Sequence, residues 1–394
     1  MDSDPVYVKK CDSYSEKNIY ADVKELLEGS GGMDNFIRPG QKVVLKVNML
    51  SGVNPERAVT TDPRFVSAVA ELVKEAGGSP VIADSPGGAF NKKTLEKSYQ
   101  KCGFKKVAKK TDAELNYNIE HRRVSFPAGE VKKFFNLANF AVDADVIINL
   151  PKLKTHGLTV YTGAVKNLFG VLPGLLKAEY HLKMQNIHTF TQMLVDLACL
   201  VSPDLNIMDA VVGMEGEGPS SGDVRKFGYL MASESSFNLD IAAVHLLGID
   251  PPEKVPLISV MKEQGITGNF SDLKIYGDKL IQAENTVIPE IERSSNLLEQ
   301  SLPGPLSSLL EFFLRPRPIF EYDKCTGCGE CFQVCPPDAI IMKKGRPVVE
   351  LEECIRCFCC QELCNFNAVK IHRPFLGRLI NKFNGERMEE GVND

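Results

Sequence analysis

The sequence lacks several features that would assign the chain to a class at once. The longest uncharged apolar stretches, near residues 197–201 and 303–310, fall far short of the roughly 20 residues that a membrane-spanning helix needs. Basic residues are not in excess, since 46 lysines and arginines face 51 aspartates and glutamates. The acidic first residues contain no apolar segment typical of a secretory signal. We therefore expect no transmembrane segment, no nucleic-acid partner and a cytoplasmic location.

Cysteine is scarce over most of the chain. The first 320 residues hold only Cys11, Cys102 and Cys199, whereas nine of the 12 cysteines lie between residues 325 and 364. A secreted disulfide scaffold would distribute its cysteines over a small chain, so this cluster indicates metal binding instead. The sequence also has no G-x-S-x-G or H-E-x-x-H motif, which leaves hydrolase and zinc-protease interpretations without support.

The first part of the chain alternates between short β-branched runs and helical patterns. A chain of 394 residues suggests two or three domains. Strands alternating with helices predict an α/β domain with a mostly parallel sheet. The predicted strands cover residues 42–47, 80–83, 145–150 and 205–208, and the predicted helices cover 62–76, 91–101, 187–201 and 235–247.

The organisation along the chain follows from these patterns. Residues 1–250 form the α/β domain, and 251–320 form its edge and a linker, with a strand near 257–261, a short helix at 307–314 and an extended segment at 315–318. Residues 321–373 form the cysteine module, a small α+β domain. Residues 374–394 form a short tail with a weakly amphipathic start.

The cysteine module is an internal repeat with the spacing C-x2-C-x2-C-x3-C, repeated at an offset of 29 residues. This spacing is typical of two 4Fe–4S clusters, the fourth cysteine of each repeat binding the other cluster. The predicted ligand sets are Cys325, Cys328, Cys331 and Cys364 for one cluster, and Cys354, Cys357, Cys360 and Cys335 for the other. Zinc is the alternative, because four thiolates also suit that ion. Two departures are Asn365, where the first repeat has Pro336, and the additional thiol of Cys359.

Lysines concentrate where the third predicted strand ends. Residues 151–183 contain five lysines and one acidic residue, and in parallel sheets ligands bind at the carboxyl ends of strands. We therefore predict an anion site, for which a solvated charged face is the alternative. The substrate-binding candidates are Lys152, Lys154 and Asn167, together with Asp84 and Asn48, which follow two other strands.

Two residues of the same region have the chemistry for proton transfer. His156 is the candidate acid or base because its ordinary pKa lies near neutrality, and a structural histidine is the alternative. Lys166 is the candidate anion anchor or proton donor. Asp84 has a second interpretation too, as the cap of a turn.

Residues 321–373 resemble a bacterial-type ferredoxin with two 4Fe–4S clusters, on the strength of the cysteine repeat. Residues 5–250 resemble the domain-of-unknown-function family 362, which is often joined to such a ferredoxin. That resemblance is carried by the motifs at 43–48, 82–88, 147–156 and 162–170.

The favoured hypothesis is an iron–sulfur oxidoreductase. Electrons from a redox partner protein would pass through two 4Fe–4S clusters to an anionic small molecule, or to a flavin or other anionic cofactor, held in the α/β domain. The alternative is a ferredoxin-type electron carrier whose large domain only binds a partner. A third hypothesis is non-redox proton transfer at His156 with structural clusters.

Overall fold

The computed structural model describes residues 4–266, 269–289 and 316–374. The chain divides into two compact units, Met1–Pro289 and Glu290–Asp394.

The first unit is built from alternating strands and helices. Its strands are β1 (Val6–Lys10), β2 (Lys42–Val47), β3 (Ser79–Ala83), β4 (Glu114–Leu115), β5 (His121–Ser125), β6 (Phe134–Ala138), β7 (Val146–Leu150), β8 (Lys152–His156), β9 (Val160–Thr162), β10 (Leu205–Glu215), β11 (Asp223–Ser233) and β12 (Ile275–Gly277). Its helices are α1 (Glu16–Glu28), α2 (Pro63–Glu75), α3 (Lys92–Lys101), α4 (Phe104–Thr111), α5 (Asn139–Val142), α6 (Ala164–Asn167), α7 (Leu176–Lys183), α8 (Ile187–Val201), α9 (Ser236–Leu246) and α10 (Pro256–Glu263).

Ten of these strands form one large sheet in the order β12-β1-β11-β10-β7-β2-β3-β4, with β8 pairing with β10 and β9. Strands β5 and β6 form a separate antiparallel pair. The strands from β10 to β4 along this order pair in parallel, whereas β11 pairs antiparallel with both β1 and β10. The central strands β2, β3 and β7 are almost entirely buried, as expected for a parallel sheet covered on both faces. The predicted α/β fold with a mostly parallel sheet is confirmed.

Local signals explain why helix α2 forms where the sequence predicts it. The side chain of Asp62 accepts a hydrogen bond from Arg64 N, and Pro63 occupies the first turn. At the other end Gly77 adopts a φ of 81°, a conformation that glycine tolerates best. The apolar side of the helix then packs on the sheet, in the same buried cluster as residues of β2.

Two predicted elements differ from the structure. The strand predicted near residues 257–261 is wrong, because this segment belongs to helix α10, which begins at Pro256 with proline in its first turn. A short apolar run fits a strand or a buried helix equally well, so the pattern alone did not decide. The strand predicted at 205–208 continues to Glu215. The helix predicted at 307–314 and the tail beyond residue 374 lie outside the described residues.

Over residues 316–374, the described part of the second unit, the chain forms two small antiparallel sheets and two single-turn helices. Strand β13 (Arg317–Phe320) pairs with β16 (Val369–His372), and β14 (Ile340–Lys343) pairs with β15 (Arg346–Val349). The helices are α11 (Glu330–Gln333) and α12 (Cys359–Glu362). This arrangement confirms the small α+β domain predicted for the cysteine module.

The sequence repeat of this unit is also a structural repeat. Helix α12 and strand β16 each follow α11 and β14 by 29 residues. Gly329 and its equivalent Phe358 both precede the helix in the left-handed region, with φ values of 80° and 59°. The two halves therefore fold alike even where the second one has no glycine at this position.

Within the described ranges, no helix combines the length and the apolar character that crossing a bilayer requires. The predicted cytoplasmic location stays a prediction.

Candidate functional site

The lysine-rich segment, residues 151–183, begins with strand β8, which lies beside β10 in the sheet. Strands β7 and β8, separated only by Pro151, both pair in parallel with β10. Side chains alternate along a strand, so Lys152, Lys154 and His156 start from the same side of β8. All three are nevertheless buried, and each has different partners.

Lys154 lies within a group of predicted site residues. Its Nζ donates hydrogen bonds to Asn48 Oδ1 at 2.7 Å and to the carbonyl of Val59 at 2.8 Å. Asn48 Nδ2 in turn donates to Asn167 Oδ1 at 3.0 Å. The structure thus brings together three of the predicted substrate-binding residues, which come from three separate parts of the chain.

This group continues into the sheet as a chain of amides. Asn167 Nδ2 donates to Asn149 Oδ1 at 2.7 Å, and Asn149 Nδ2 donates to Asn206 Oδ1 at 2.9 Å. In this run of four hydrogen-bonded asparagine side chains, every amide oxygen points toward the Lys154 end. This orientation stabilises the positive charge of Lys154. Sequence reasoning missed Asn149 and Asn206, although an asparagine inside an apolar strand is a recognisable signal.

Asp84 forms a buried ion pair with a lysine that the sequence analysis did not single out. Asp84 Oδ1 lies 2.8 Å from Lys46 Nζ, and Asp84 Oδ2 accepts a hydrogen bond from Met49 N at 2.6 Å. Burial lowers the pKa of Lys46, and the negative charge of Asp84 opposes that shift. Lys46 interrupts the apolar run of residues 43–47 in strand β2, which is the signal that could have identified it.

A further buried lysine lies close to this pair. Lys177 Nζ donates to the carbonyl and hydroxyl oxygens of Ser85, both at 3.0 Å, and to the carbonyl of Leu172 at 2.7 Å. Burial lowers the pKa of Lys177 to about 7, and the neighbouring charges of Lys46 and Lys166 act in the same direction, whereas Asp84 opposes them. Three lysines, Lys46, Lys166 and Lys177, thus lie near one carboxylate, that of Asp84, a composition that favours an anion.

Lys166 is the least buried of these lysines. It lies on the single-turn helix α6, with its Nζ 5.0 Å from the ring centre of Phe169 and 5.9 Å from that of Phe190. Its aromatic neighbours favour a cation at this position. Lys166 therefore combines a charged head with partial access to solvent.

His156 ends strand β8 and is buried. Its Nδ1 accepts hydrogen bonds from the backbone N–H groups of Leu158 and Thr159, at 3.1 and 3.3 Å. The neutral ring consequently carries its proton on Nε2. This geometry shows a structural role in the turn after β8, and any proton transfer would have to use Nε2.

Lys152 is not brought to the Lys154 group. Its Nζ lies 2.7 Å from Asp209 Oδ2 and 2.8 Å from the hydroxyl of Tyr14, and these three side chains are buried together. A substrate anion would have to compete with a carboxylate already in place. The predicted substrate-binding role of Lys152 therefore has no support in this arrangement.

In the second unit, four cysteines line one cavity of about 350 Å³, a volume that includes the part open to solvent. They are Cys325, Cys328, Cys331 and Cys364, which form the first predicted ligand set. The backbone N–H of Ala368 donates to Cys364 Sγ at 3.3 Å, the kind of bond that stabilises a cluster thiolate. The donor set and the cavity fit a 4Fe–4S cluster.

The remaining cysteines group by proximity. Burial raises the pKa of the free Cys335 thiol to about 11, with smaller contributions from Cys357 and Cys354. Burial also raises the pKa of Cys360, with contributions from the same two cysteines and from Cys331 and Cys335. Cys335 also packs against the buried side-chain cluster that contains Cys360 of the other repeat. Ligation by the second set of four stays a prediction.

Zinc is the alternative to iron at these cysteines, because four thiolates suit that ion as well as a 4Fe–4S cluster. Metal analysis of protein prepared without air distinguishes the two.

A parallel α/β unit joined to a dicluster cysteine module defines the class of this protein. Residues 43–245 match the model of the domain of unknown function DUF362, and residues 317–365 match the model of a 4Fe-4S dicluster domain. The chain belongs to the DUF362 family, and it carries a dicluster domain after the DUF362 region. Both resemblances predicted from the sequence are confirmed.

The chain is also similar to a curated protein and to a solved structure. The thylakoid-associated protein sll1697 of Synechocystis sp. is 34% identical over 312 residues, covering 78% of this chain and 94% of that protein. The lactate racemase apoprotein from Thermoanaerobacterium thermosaccharolyticum matches with a TM-score of 0.37 and 14% identity. That match covers 59% of this chain and 55% of the racemase chain.

Proposed function

We propose that this protein is an iron–sulfur oxidoreductase that relays electrons to an anionic substrate or cofactor held in the first unit. The dicluster domain supports the electron-transfer part of this function, because 4Fe–4S clusters exchange single electrons when bound. A redox partner protein would supply the electrons. The substrate, and the class of cofactor, are the parts that need experiment.

The observation that carries the proposal is the group formed by Lys154, Asn48 and Asn167 beside the cation-rich region around Lys177. A carrier of electrons alone has no need for several buried lysines in a separate domain, because burying each charge costs free energy. In our proposal Lys154 and Asn167 orient the anion. Lys166, which is partly exposed, supplies the proton that follows the electron.

A bound anion can be sought directly. The full chain would be purified without air, its iron counted, and small molecules released from it identified by mass spectrometry. We expect about eight irons per chain and a co-purifying anion. Lys154→Gln should lose the anion and keep the iron, whereas Lys183→Gln, which alters an exposed lysine paired with Glu179, should keep both.

A second candidate function is a ferredoxin-type electron carrier whose large unit only binds a partner. It is favoured by one observation, that Lys46 and Lys152 are each already paired with a buried aspartate. Eight irons without any bound anion, and an unchanged Lys154→Gln variant, would support the carrier and contradict the oxidoreductase.

A further inference from the structure

The two halves of the cysteine module fold alike but differ in exposure. In helix α11, Glu330 and Phe332 are exposed, and Phe332 has 43% of its surface open to solvent. The equivalent residues in α12, 29 positions later, are Cys359 and Gln361, and both are buried. One half of the repeat is therefore open to solvent where the other is covered.

The thiols follow the same difference. Cys328 of the first set is exposed, whereas its equivalent Cys357 is only half-exposed. Cys331 is half-exposed, whereas its equivalent Cys360 is buried. Among the first three cysteines of each repeat, every cysteine of the first repeat is therefore at least as exposed to solvent as its equivalent in the second repeat.

The residue that follows the second cysteine of each repeat adds to this difference in exposure. Gly329 in the first repeat carries no side chain, and no heavy atom of the described residues other than its chain neighbours lies within 4 Å of the position that its Cβ would take. Phe358 stands at the equivalent position of the second repeat and is only 7% exposed, so this position is covered in the second repeat. The cavity of the first set instead opens beside Thr326 and Phe366, which are both exposed.

We propose that the cluster bound by the first set is the port through which this protein exchanges electrons with other molecules, and that the cluster bound by the second set is the inner one. This inference rests on the proposed function, since it presupposes two clusters that carry electrons. In each exchange an external one-electron donor is oxidised and the first cluster gains that electron. No bond forms or breaks, and no proton is taken up.

The port can be located by reversing one surface charge near each cluster. Glu330 is exposed and lines the cavity of the first set, whereas Glu353 is exposed and directly precedes Cys354 of the second set. Glu330→Lys and Glu353→Lys change the net charge equally, so each is the matched control of the other. The measurement is the second-order rate of reduction of the full-length protein by the methyl viologen radical cation, followed by the loss of visible absorbance.

We expect Glu330→Lys to slow reduction about five-fold at low ionic strength, because the added positive charge repels the cationic donor at the port. The effect should shrink with added salt. Glu353→Lys should change the rate less than two-fold. Thr326→Lys, which adds one charge at the same mouth, should act in the same direction as Glu330→Lys, so the result does not depend on one variant.

The failure of this inference differs from the failure of the proposed function. An equal or larger effect of Glu353→Lys, in protein with its full iron content, would overturn the port assignment and leave the electron-transfer function intact. Protein prepared without air that contains much less than about eight irons, or that viologen cannot reduce, would overturn the function itself.

Discussion

The ammonium group of Lys152 lies 2.7 Å from the carboxylate of Asp209, and both side chains are almost completely buried. The hydroxyl of Tyr14 donates to the other oxygen of Asp209 at 2.5 Å. The backbone N–H of Asp62, the cap of helix α2, also donates to Asp209 at 2.9 Å. These contacts join β8, β10 and α2, so the pair belongs to the frame that holds the lysine-rich segment in place.

Removing one member of this pair should destabilise the first unit strongly. Lys152→Met leaves the Asp209 carboxylate buried without its cation, which typically costs about 3–5 kcal/mol of unfolding free energy. The double variant Lys152→Met/Asp209→Leu should lose less, because no charge remains buried alone. Urea unfolding followed by circular dichroism measures this, since the chain contains no tryptophan for fluorescence.

The control for this prediction is Lys183→Met. Lys183 pairs with Glu179 on the surface, where both side chains are well exposed, so its loss should change the unfolding midpoint little. If Lys152→Met unfolded at the same urea concentration as this control, the buried pair would have no structural importance.

Elements of the fold whose sequence signals lie within a few residues could be predicted. Contacts between residues far apart along the chain could not. The cap at Asp62 and the glycines after residue 76 lie within a few residues of helix α2, so the sequence alone located it. The partner of Lys152 lies 57 positions further along the chain, and no nearby pattern indicates it. Because such distant partners leave no local pattern, the sequence predicts that Lys152 and Lys154 act together, whereas the structure gives them separate partners.

The candidate site shows the same division. The sequence placed Lys154 and Asn167 in one region because both follow the third predicted strand. It could not show that Asn149 links Asn167 to the sheet, since the orientation of an amide depends on which donors surround it in the folded chain. For the cysteine module, by contrast, the spacing itself carried the prediction.

Asp240 should make stability depend on pH. Burial raises the pKa of this carboxyl to about 6, and hydrogen bonds from Val165 N, the Tyr161 hydroxyl and Ala164 N oppose the shift. In the unfolded chain this carboxyl has its ordinary pKa of 3.8. Between pH 3.8 and about pH 6 the folded state therefore binds more protons than the unfolded state. The contribution of Asp240 therefore stabilises the protein as pH falls through 6, and that gain is lost as pH rises.

The predicted size of this effect is about 1 kcal/mol of unfolding free energy between pH 7 and pH 5. It should be measured as the difference between wild type and Asp240→Asn, in urea unfolding without air at several pH values. Other titrating groups contribute alike to both proteins and cancel. A difference that stays constant across this range would contradict the raised pKa, whereas a difference that grows in favour of wild type at pH 5 would support it.

Of the adjacent thiols Cys359 and Cys360, we expect Cys360 to bind the second cluster. Cys360 occupies the position equivalent to Cys331 of the first repeat, and Cys335 packs against the buried cluster that contains it. Cys359 occupies the position equivalent to Glu330, and its thiol hydrogen-bonds with Cys357. Cys360→Ala should therefore reduce the iron content from about eight to about four per chain, and Cys359→Ala should leave it at about eight. Iron and sulfide analysis of both variants, prepared without air, measures this directly. The reverse pattern would show that the second repeat binds its cluster one residue out of register with the first.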